Sequence, residues 1–481
     1  MFNPAEYYLN IFNVTVPQLE SLVGTALRYG GSYADLYFEN TAYSNLLLKD
    51  SEVSSGGIHH DFGVGIRVLC SEKTGYAYSE STDYKDMEAA AKAAAAIAQG
   101  ATRGKAGAPA AVPCGSFKDI ELPHNYYPVA LDWRSSKQSE FLPFLNQLEK
   151  EILSRDSRIV KVIARISNSM SDVMMFNSFG ELTYETRPMG SVAVSVIAQE
   201  NGKSINKSVS RSFRMGAELI DEDLVYEIAD EAVEGLDERF EARRPKGGQM
   251  SVVMGAGASG ILLHEAMGHA FEADFNRKGQ SIFSDKMGKK ICSKKINVVD
   301  DATIAWNRGA GNFDDEGVAG EKTYMVKDGV LTSYLHDRIS ADFYKVAPTG
   351  NGRRESFRFN PIPRMRATYM EGGDCDPAEI ISSVQNGVYV DEFSNGQVKI
   401  GEGDFTFFVK NGFLIENGQL TMPIKDINII GNGPQALADI TMVGNDLIVD
   451  NGTWTCGKEQ SVPVSCGMPT VLVKNLTVGG E

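Results

Sequence analysis

The sequence predicts an α+β protein, with an amino-terminal antiparallel sheet that carries helices and a β-rich carboxyl-terminal domain. Three observations indicate this class. Short runs between Ala34 and Tyr78, such as "ADLYFEN" and "GVGIRVLC", alternate apolar and polar residues, as strands with one buried face do. The alanine-rich run "YKDMEAAAKAAAAIA" predicts a helix over 84–98, because alanine leads the helix propensity scale. Beyond residue 248, Asp-Gly and Asn-Gly pairs, which favour tight hairpins, become frequent.

The amino-terminal half repeats one order of elements, strands first and a helix after them. The first sub-segment, 1–100, ends at the connector "GATRGKAGAPAAVPCG", whose glycine, alanine and proline content is typical of a linker. The second, 116–240, contains strands, an Asn201-Gly202 hairpin signal and a predicted helix over 221–240. "EARRPKGG" follows and indicates a boundary. We therefore expect an amino-terminal domain over 1–240 and a carboxyl-terminal domain over 248–481.

The carboxyl-terminal domain is expected to be mostly antiparallel sheet with few helices. Asp328-Gly329, Asn411-Gly412 and Asn417-Gly418 each predict the turn of a hairpin, because both residues of such pairs tolerate positive φ.

Composition excludes several classes of function. The chain has 481 residues, 42% of them hydrophobic, and a formal net charge of −16. That charge argues against nucleic acid as a partner, since such proteins present a clustered basic face. No apolar run is long enough to span a membrane, and no secretory signal is visible at the amino terminus. The six cysteines form no C-x-x-C pair, so we expect a reduced, cytoplasmic protein.

The stretch "LLHEAMGHAFEAD" contains two histidines, His264 and His269, five positions apart, with Glu265 beside the first. Zinc-peptidase helices place their histidines four apart, on one face. Five positions on an ideal helix differ by about 140°, so the two imidazoles cannot share one ion on a straight helix. A single π-bulge, opened at Gly268, would return both to one face. The spacing therefore predicts a metal site on a widened helical turn.

Such a site favours zinc hydrolysis. Two neutral imidazoles bind Zn²⁺, and a third protein ligand leaves one position open for water, whose pKa the metal lowers towards neutrality. Glu265 is placed to take the proton of that water and pass it to the leaving amine. The residues alone leave the third ligand open between two carboxylates and two thiols, since zinc accepts either; these are Glu272, Asp274, Cys456 and Cys466.

Several segments together resemble the TldD branch of the TldD/PmbA metallopeptidases, formerly described as modulators of DNA gyrase. They are "LLHEAMGHAFEADFNRKGQSIFSDKMGKKI", "DDEGVAGEKTYMVKDGVLTSYLHDR", "PTGNGRRESFRFNPIPRM", "ITMVGNDL" and "CGKEQSVPV" with "GMPT". The similarity is dense from about residue 248 to the carboxyl end and thinner before it. One departure is visible: the family loop commonly reads C-G-K-E-G-Q, and this chain is one glycine shorter.

The resemblance implies a cytosolic zinc peptidase, with a metallopeptidase domain at its carboxyl end, that cleaves unfolded or short linear peptides. It implies one zinc ion per chain, held by His264, His269 and Cys456, with Glu265 as the catalytic base. It also implies a dimer, formed either by two copies or with a sibling subunit that lacks the H-E-x-x-x-H motif. This chain carries the motif and so resembles the active subunit.

Three further residues are candidates for substrate binding. Arg353 and Arg354, in "TGNGRRES", have the geometry to hold a carboxylate by paired hydrogen bonds, or to form structural salt bridges. His336, in "YLHDR", could contact substrate or serve only the structure. The alternative function is a non-catalytic regulatory protein that binds a partner and holds a structural metal. A change of Glu265 to alanine would leave such a function intact.

Overall fold

The computed structural model describes residues 4–70, 72–100, 114–122, 124–257, 259–399 and 401–480. It is an α+β protein, as predicted. Among the described residues, no helix is both long and apolar enough to cross a membrane. Most of the predicted connector between the two amino-terminal sub-segments lies outside the described residues.

The amino-terminal half contains six helices and seven strands among its described residues. The helices are α1 (Pro4–Ile11), α2 (Val16–Leu27), α3 (Tyr84–Gly100), α4 (Leu142–Arg155), α5 (Glu222–Val233) and α6 (Leu236–Glu241). The strands are β1 (Tyr33–Lys49), β2 (Glu52–Cys70), β3 (Lys73–Ser79), β4 (Lys118–Asp119), β5 (Ile159–Asn177), β6 (Glu181–Glu200) and β7 (Lys203–Phe213).

One seven-stranded sheet joins both amino-terminal sub-segments, in the order β3-β2-β1-β5-β6-β4, with β7 also paired to β6. Side chains alternate between its two faces. The even-numbered positions of β1, such as Leu36 and Leu46, pack against the helices. The odd-numbered Tyr37 packs with Phe313 and Phe357 of the carboxyl-terminal half. Both faces of this sheet are therefore covered near β1, which places its second face against the domain that carries the H-E-x-x-x-H motif.

Two predictions for this half differ in outcome. The Asn201-Gly202 turn is confirmed, with φ of 50° and 79° between the paired strands β6 and β7. The single helix expected over 221–240 is wrong, because it divides into α5 and α6. Gly235 adopts a φ of 68° between them, a left-handed conformation that ends a helix.

The carboxyl-terminal half is rich in strands. They are β8 (Gly248–Met254), β9 (Val298–Asp301), β10 (Lys322–Lys327), β11 (Val330–Leu331), β12 (Gly352–Arg353), β13 (Ile362–Pro363), β14 (Ala367–Met370), β15 (Asn386–Val398), β16 (Asp404–Glu416), β17 (Gln419–Ile424), β18 (Ile427–Asn432), β19 (Ile440–Val443), β20 (Ile448–Val449), β21 (Thr455–Lys458), β22 (Gln460–Pro463), β23 (Ser465–Met468) and β24 (Val471–Gly479). The helices are α7 (Gly260–Leu263), α8 (Ala273–Arg277), α9 (Arg338–Tyr344), α10 (Pro377–Ser382) and α11 (Gly433–Ala438).

These strands form a six-stranded sheet, β11-β10-β9-β14-β23-β20, and a seven-stranded sheet, β15-β8-β24-β18-β16-β17 with β19 also paired to β24. The remaining strands form two antiparallel pairs, β12–β13 and the hairpin β21–β22. The turns at Asp328-Gly329 and Asn417-Gly418 are confirmed, with positive φ at all four residues. The turn predicted at Asn411-Gly412 is wrong. Both residues lie inside the long strand β16, where the pairing with β15 shifts register. A local turn signal is overridden there by pairing on both sides of the strand.

Candidate metal centre

The H-E-x-x-x-H segment follows a strand at the centre of the seven-stranded sheet. Strand β8 pairs in parallel with β15 and antiparallel with β24, and α7 follows it after a short turn. From His264 to Gly268 the backbone then forms a π-helical turn. The widened turn that the five-residue spacing predicted is confirmed. Because of it, the rings of His264 and His269 lie 5.2 Å apart, centroid to centroid.

Gly268 serves this turn differently from what the sequence suggested. Its φ of −57° and ψ of −50° are ordinary helical values, so its backbone does not need the freedom of glycine. A Cβ atom at this position would lie 2.3 Å from the sulfur of Met365. Glycine therefore leaves room for the Met365 side chain, which would have to shift if a larger residue stood here.

Three possible metal ligands meet at this turn. The ligand atoms of His264, His269 and Cys456 all lie within 4.8 Å of one another, and all three residues are buried. The Nε2 atom of His269 is 3.3 Å from the Sγ atom of Cys456. Since Cys456 comes from the hairpin β21–β22, far along the chain, the fold brings together the three residues that the resemblance implied.

The chemistry of this donor set fits zinc. Both ring nitrogens of His264 are buried and have no hydrogen-bond partner among the described residues, and such buried polar atoms ordinarily have one. Burial alone would raise the pKa of the Cys456 thiol, but His264 and His269 lower it to about 5. Two imidazoles and a thiolate this close together are a ligand set that zinc accepts.

Glu272 and Asp274 lie outside the group of three donors, and they contact it or its neighbours. Glu272 is within 2.9 Å of His269 Nδ1. Burial raises its pKa, but Lys458 and His269 lower it to about 2, so it is an ionised acceptor that holds the Nδ1 proton and leaves Nε2 free as a ligand. The ammonium of Lys458 is 3.0 Å from Glu272 and 2.7 Å from Asp274. Lys458 was not among the predicted site residues, although it stands in the "CGKEQ" segment that carried the resemblance.

The hairpin that carries Cys456 is held by a second residue that the sequence did not reveal. Arg364 is fully buried, and its guanidinium donates hydrogen bonds to the carbonyl oxygens of Cys456, at 2.6 Å, and Gln460, at 2.8 Å. Cys466, the rival thiol, lies on β23 outside the group of three donors. Burial holds the pKa of its thiol well above the usual value, so it stays a neutral thiol.

Glu265 has access to solvent. Its side chain is 31% exposed, and its Oε2 atom lies 3.8 Å from His269 Nε2. His264 and His269, on either side of it in the turn, are buried. The carboxylate is therefore at the open side of the donor group, where a substrate would approach.

The other candidate residues lie outside the donor group. His336 is buried between Tyr334 and Tyr344, and burial lowers its pKa to about 4. Arg353 donates to the carbonyl oxygens of Met365 and Pro463. Arg354 donates to the Asp315 carbonyl oxygen and lies 3.6 Å from Asp35. Both arginines also line a cavity, and their role in substrate binding stays a prediction.

Family sequence models match three parts of the chain. They are described as PmbA/TldA metallopeptidase domain 1, over residues 34–98, the central domain, over 132–238, and the C-terminal domain, over 247–480. A "Metalloprotease TldD homolog" of Haemophilus influenzae is 37% identical over 454 residues, which is 93% of each chain. The protein of that name from Buchnera aphidicola of Acyrthosiphon pisum is 35% identical over 96% of this chain and 95% of its own.

Solved structures share the fold. TldE from Thermococcus kodakarensis superposes with a TM-score of 0.76 at 18% identity, covering 96% of this chain and all of its own.

A further relative by sequence, a "Zinc metalloprotease TldD homolog" of Saccharolobus solfataricus, is 30% identical over 60% of this chain and 65% of its own. The three matched domains belong to metallopeptidase models, and the curated relatives are named as metalloproteases. The chain belongs to the PmbA/TldD metallopeptidase family and is a peptide-bond hydrolase.

Proposed function

We propose that this chain is a zinc-dependent peptidase that cleaves unfolded or short linear peptides, with Glu265 as the general base. One observation carries the proposal: three buried donors of the zinc-binding type converge beside a single half-exposed carboxylate. A closed structural site would have no need of that carboxylate at its open side.

Each residue of the metal centre has its own role in the proposed reaction. His264, His269 and Cys456 would hold one zinc ion and leave a position open. When bound, zinc supplies a Lewis acid that polarises the peptide carbonyl group. Glu265 takes the proton of the attacking water and delivers it to the leaving nitrogen. Glu272 accepts the Nδ1 proton of His269 and fixes the ring orientation.

The shape of the surroundings supports an extended substrate. A groove of about 570 Å³ lies between β7 and the segment before Cys456, and Ser208, Ser210 and Trp454 are among its lining residues. Strand β7 is paired with β6 along one side. Its other edge is bonded to Asn451 at Ser212 and to Asn307 at Phe213. Before Ser212, that edge would offer backbone groups with which an unfolded peptide can pair, giving affinity with little side-chain selectivity.

Two further expectations belong to this proposal. The family resemblance supports a dimer, either of two copies or with a sibling subunit without the H-E-x-x-x-H motif. It also supports a cytoplasmic location, in agreement with six cysteines that form no disulfide among the described residues. Light scattering of the purified chain, alone and mixed with such a sibling, would test the first expectation.

Elemental mass spectrometry of the purified protein tests the metal centre. We expect about one zinc ion per chain, and its loss in Cys456→Ala. Cys466→Ala tests the rival thiol, and Cys292→Ala is the matched control, since Cys292 is also buried but belongs to the hydrophobic core. Both of these variants should retain zinc. Zinc retained by Cys456→Ala, or lost only in Cys466→Ala, would contradict the proposed ligand set.

Cleavage assays test the substrate class. We expect the zinc-loaded protein to cut an unfolded protein and its short peptides and to leave the same protein intact when folded. Equal function of the Glu265→Ala variant in these assays would instead favour a non-catalytic binding protein.

A further inference from the structure

A cavity with several arginines lies between the two halves of the chain. Its volume is about 300 Å³. One wall is the face of the amino-terminal sheet that is turned away from the helices, and the opposite wall includes the hairpin β21–β22 that carries Cys456. Tyr43, Thr455 and Ser461 line the cavity and are exposed, so it opens to solvent beside that hairpin.

Six arginines line this cavity: Arg187, Arg214, Arg308, Arg353, Arg354 and Arg366. Two of them have carboxylate partners. Arg187 forms ion pairs with Glu185, at 2.7 Å, and Asp315, at 2.5 Å, and Arg354 lies 3.6 Å from Asp35. The other four form no ion pair with any described carboxylate. Burying a cation without a counter-charge is costly, so the position of these four requires an explanation.

Backbone contacts explain two of the four. Arg353 donates to the carbonyl oxygens of Met365 and Pro463. Arg366 donates to those of Gly350, at 2.8 Å, and Phe313, at 3.2 Å. Both side chains are nearly fully buried and hold neighbouring loops together, so the fold accounts for their positions. For Arg353, a contact with substrate stays a prediction.

Arg214 is different. It is 7% exposed, and its guanidinium lies 5.2 Å from the ring centroid of Tyr127. Its Nε atom is buried without a hydrogen-bond partner. Among the described residues, no hydrogen bond from this guanidinium accounts for its burial. Arg214 is therefore a buried cation in the wall of an open cavity, with an aromatic contact but no ion pair and no guanidinium hydrogen bond to the described residues.

Arg308 stands beside it. Its partners are neutral: the hydroxyl of Ser212 at 2.6 Å, the carbonyl of Trp454 at 2.8 Å and the hydroxyl of Thr455 at 3.3 Å. Burial and the repulsion from Arg214 lower its pKa to about 10. Two neighbouring arginines thus share one cavity without a carboxylate between them.

The acids that line the cavity do not balance this charge. Asp315 is paired with Arg187. Glu39 accepts from Thr41 and from the Phe357 amide, and burial raises its pKa to about 7, which reduces its negative charge. Glu355 accepts from the Ser461 amide. The cavity therefore keeps a surplus of positive charge, and an oxyanion is the group that would neutralise it.

We propose that Arg214 and Arg308 bind a carboxylate group of the peptide substrate or product. A guanidinium pair matches the geometry of a carboxylate. Arg308 also bonds to Trp454 and Thr455, the two residues before Cys456, so the same hairpin presents the carboxylate site and the thiolate. This inference rests on the proposed peptidase function, since it takes a peptide as the ligand. The carboxylate is either the carboxyl terminus of the peptide or an acidic side chain.

Calorimetric titration of the zinc-loaded Glu265→Gln variant tests the proposal without turnover. The probes are four acetylated hexapeptides that combine a free or amidated carboxyl terminus with a central Glu or Gln. We expect at least one carboxylate form to bind about tenfold more tightly than its amide, as a charge-assisted pair would provide. Preference at the terminus or at the side chain identifies the source of the carboxylate.

Second variants assign the preference to the cavity. Adding Arg308→Gln, or Arg214→Gln, should abolish it, whereas Arg158→Gln should preserve it, because Arg158, partly buried like Arg308, pairs with Asp156 outside the cavity. Equal binding of all four peptides, or a preference that survives Arg308→Gln, would overturn the proposal. Failure of the proposed function would appear separately, as absent cleavage of every peptide by the unsubstituted protein.

Discussion

The metal centre and the arginine cavity both include the hairpin β21–β22, and they are opposite in charge character. The first gathers three buried electron-pair donors around a space that suits a cation. The second gathers six arginines, four of them without an ion pair to any described carboxylate, around a space that suits an anion. Arg67 provides the contrast, since its buried charge is paired with Asp35 and Glu316. Its role is therefore explained by the fold, whereas the unpaired donors of the metal centre and the unpaired arginines of the cavity are explained by a ligand.

The largest expected effect separates catalysis from metal binding at the donor centre. Glu265→Gln should lower peptide cleavage by about 10²–10⁴-fold, because a general base contributes that much. Zinc content should not change, since Glu265 is outside the group of three donors. Cleavage rates and elemental analysis of the same preparation would check both statements. Loss of zinc in this variant would place Glu265 among the ligands instead.

The next effect contrasts a paired arginine with an unpaired one. Arg67→Met leaves Asp35 and Glu316 buried without their cation, and we expect it to destabilise the protein by about 3–5 kcal/mol. Arg214→Met removes a cation that has no ion-pair partner among the described residues, and should cost far less or stabilise. Urea unfolding of the two variants measures the difference. Equal destabilisation would mean that Arg214 has a counter-charge in solution.

A smaller effect concerns the outer partners of the metal centre. Lys458→Met removes the ammonium between Glu272 and Asp274, and we expect zinc affinity to fall about 10–100-fold, as is usual for such partners. Competition with a chelator of known affinity gives the value. Lys322→Met is the control, because Lys322 is also paired with a carboxylate, that of Glu371, but lies partly exposed outside the centre. A matching fall in the control would indicate a general loss of stability.

The smallest effect compares two glycines whose backbone conformations differ. Gly24 and Gly202 both have open space where a Cβ would be placed, but Gly202 has a φ of 79°. Gly202→Ala should destabilise by about 1 kcal/mol, since left-handed backbone disfavours alanine. Gly24→Ala, within helix α2, should stabilise by about 0.5–1 kcal/mol. Thermal unfolding would resolve the opposite signs, and a common sign would refute the argument.

Local features of this molecule were readable from the sequence. The spacing of His264 and His269 predicted the π-helical turn, because helix geometry depends on neighbours only. Two of three carboxyl-terminal turn pairs were placed correctly for the same reason. The pair Asn411-Gly412 failed because strand pairing with β15 and β18 outweighed its turn preference.

Features that depend on residues far apart along the chain could not be predicted from the sequence. The choice of Cys456 over Cys466 came from family resemblance, and physical reasoning had left it open. Lys458 and Arg364 act through contacts that only the folded chain creates. The cavity draws its walls from strands β1, β5 and β6 and from segments more than a hundred residues later. No periodic pattern in the sequence indicates that these strands and later segments lie together.

The separation of the ligands along the chain has a consequence for biogenesis. Cys456 and His269 are 187 residues apart, and the hairpin of Cys456 is held by Arg364, which is itself far from both ends of that span. During synthesis the histidines emerge long before the cysteine, and they become neighbours only after slow, long-range strand pairing. An ion held by all three ligands would therefore be captured only after these strands have paired. Zinc occupancy would then report on the fraction of newly made chains that have matured, and cellular zinc supply would limit activity without limiting folding.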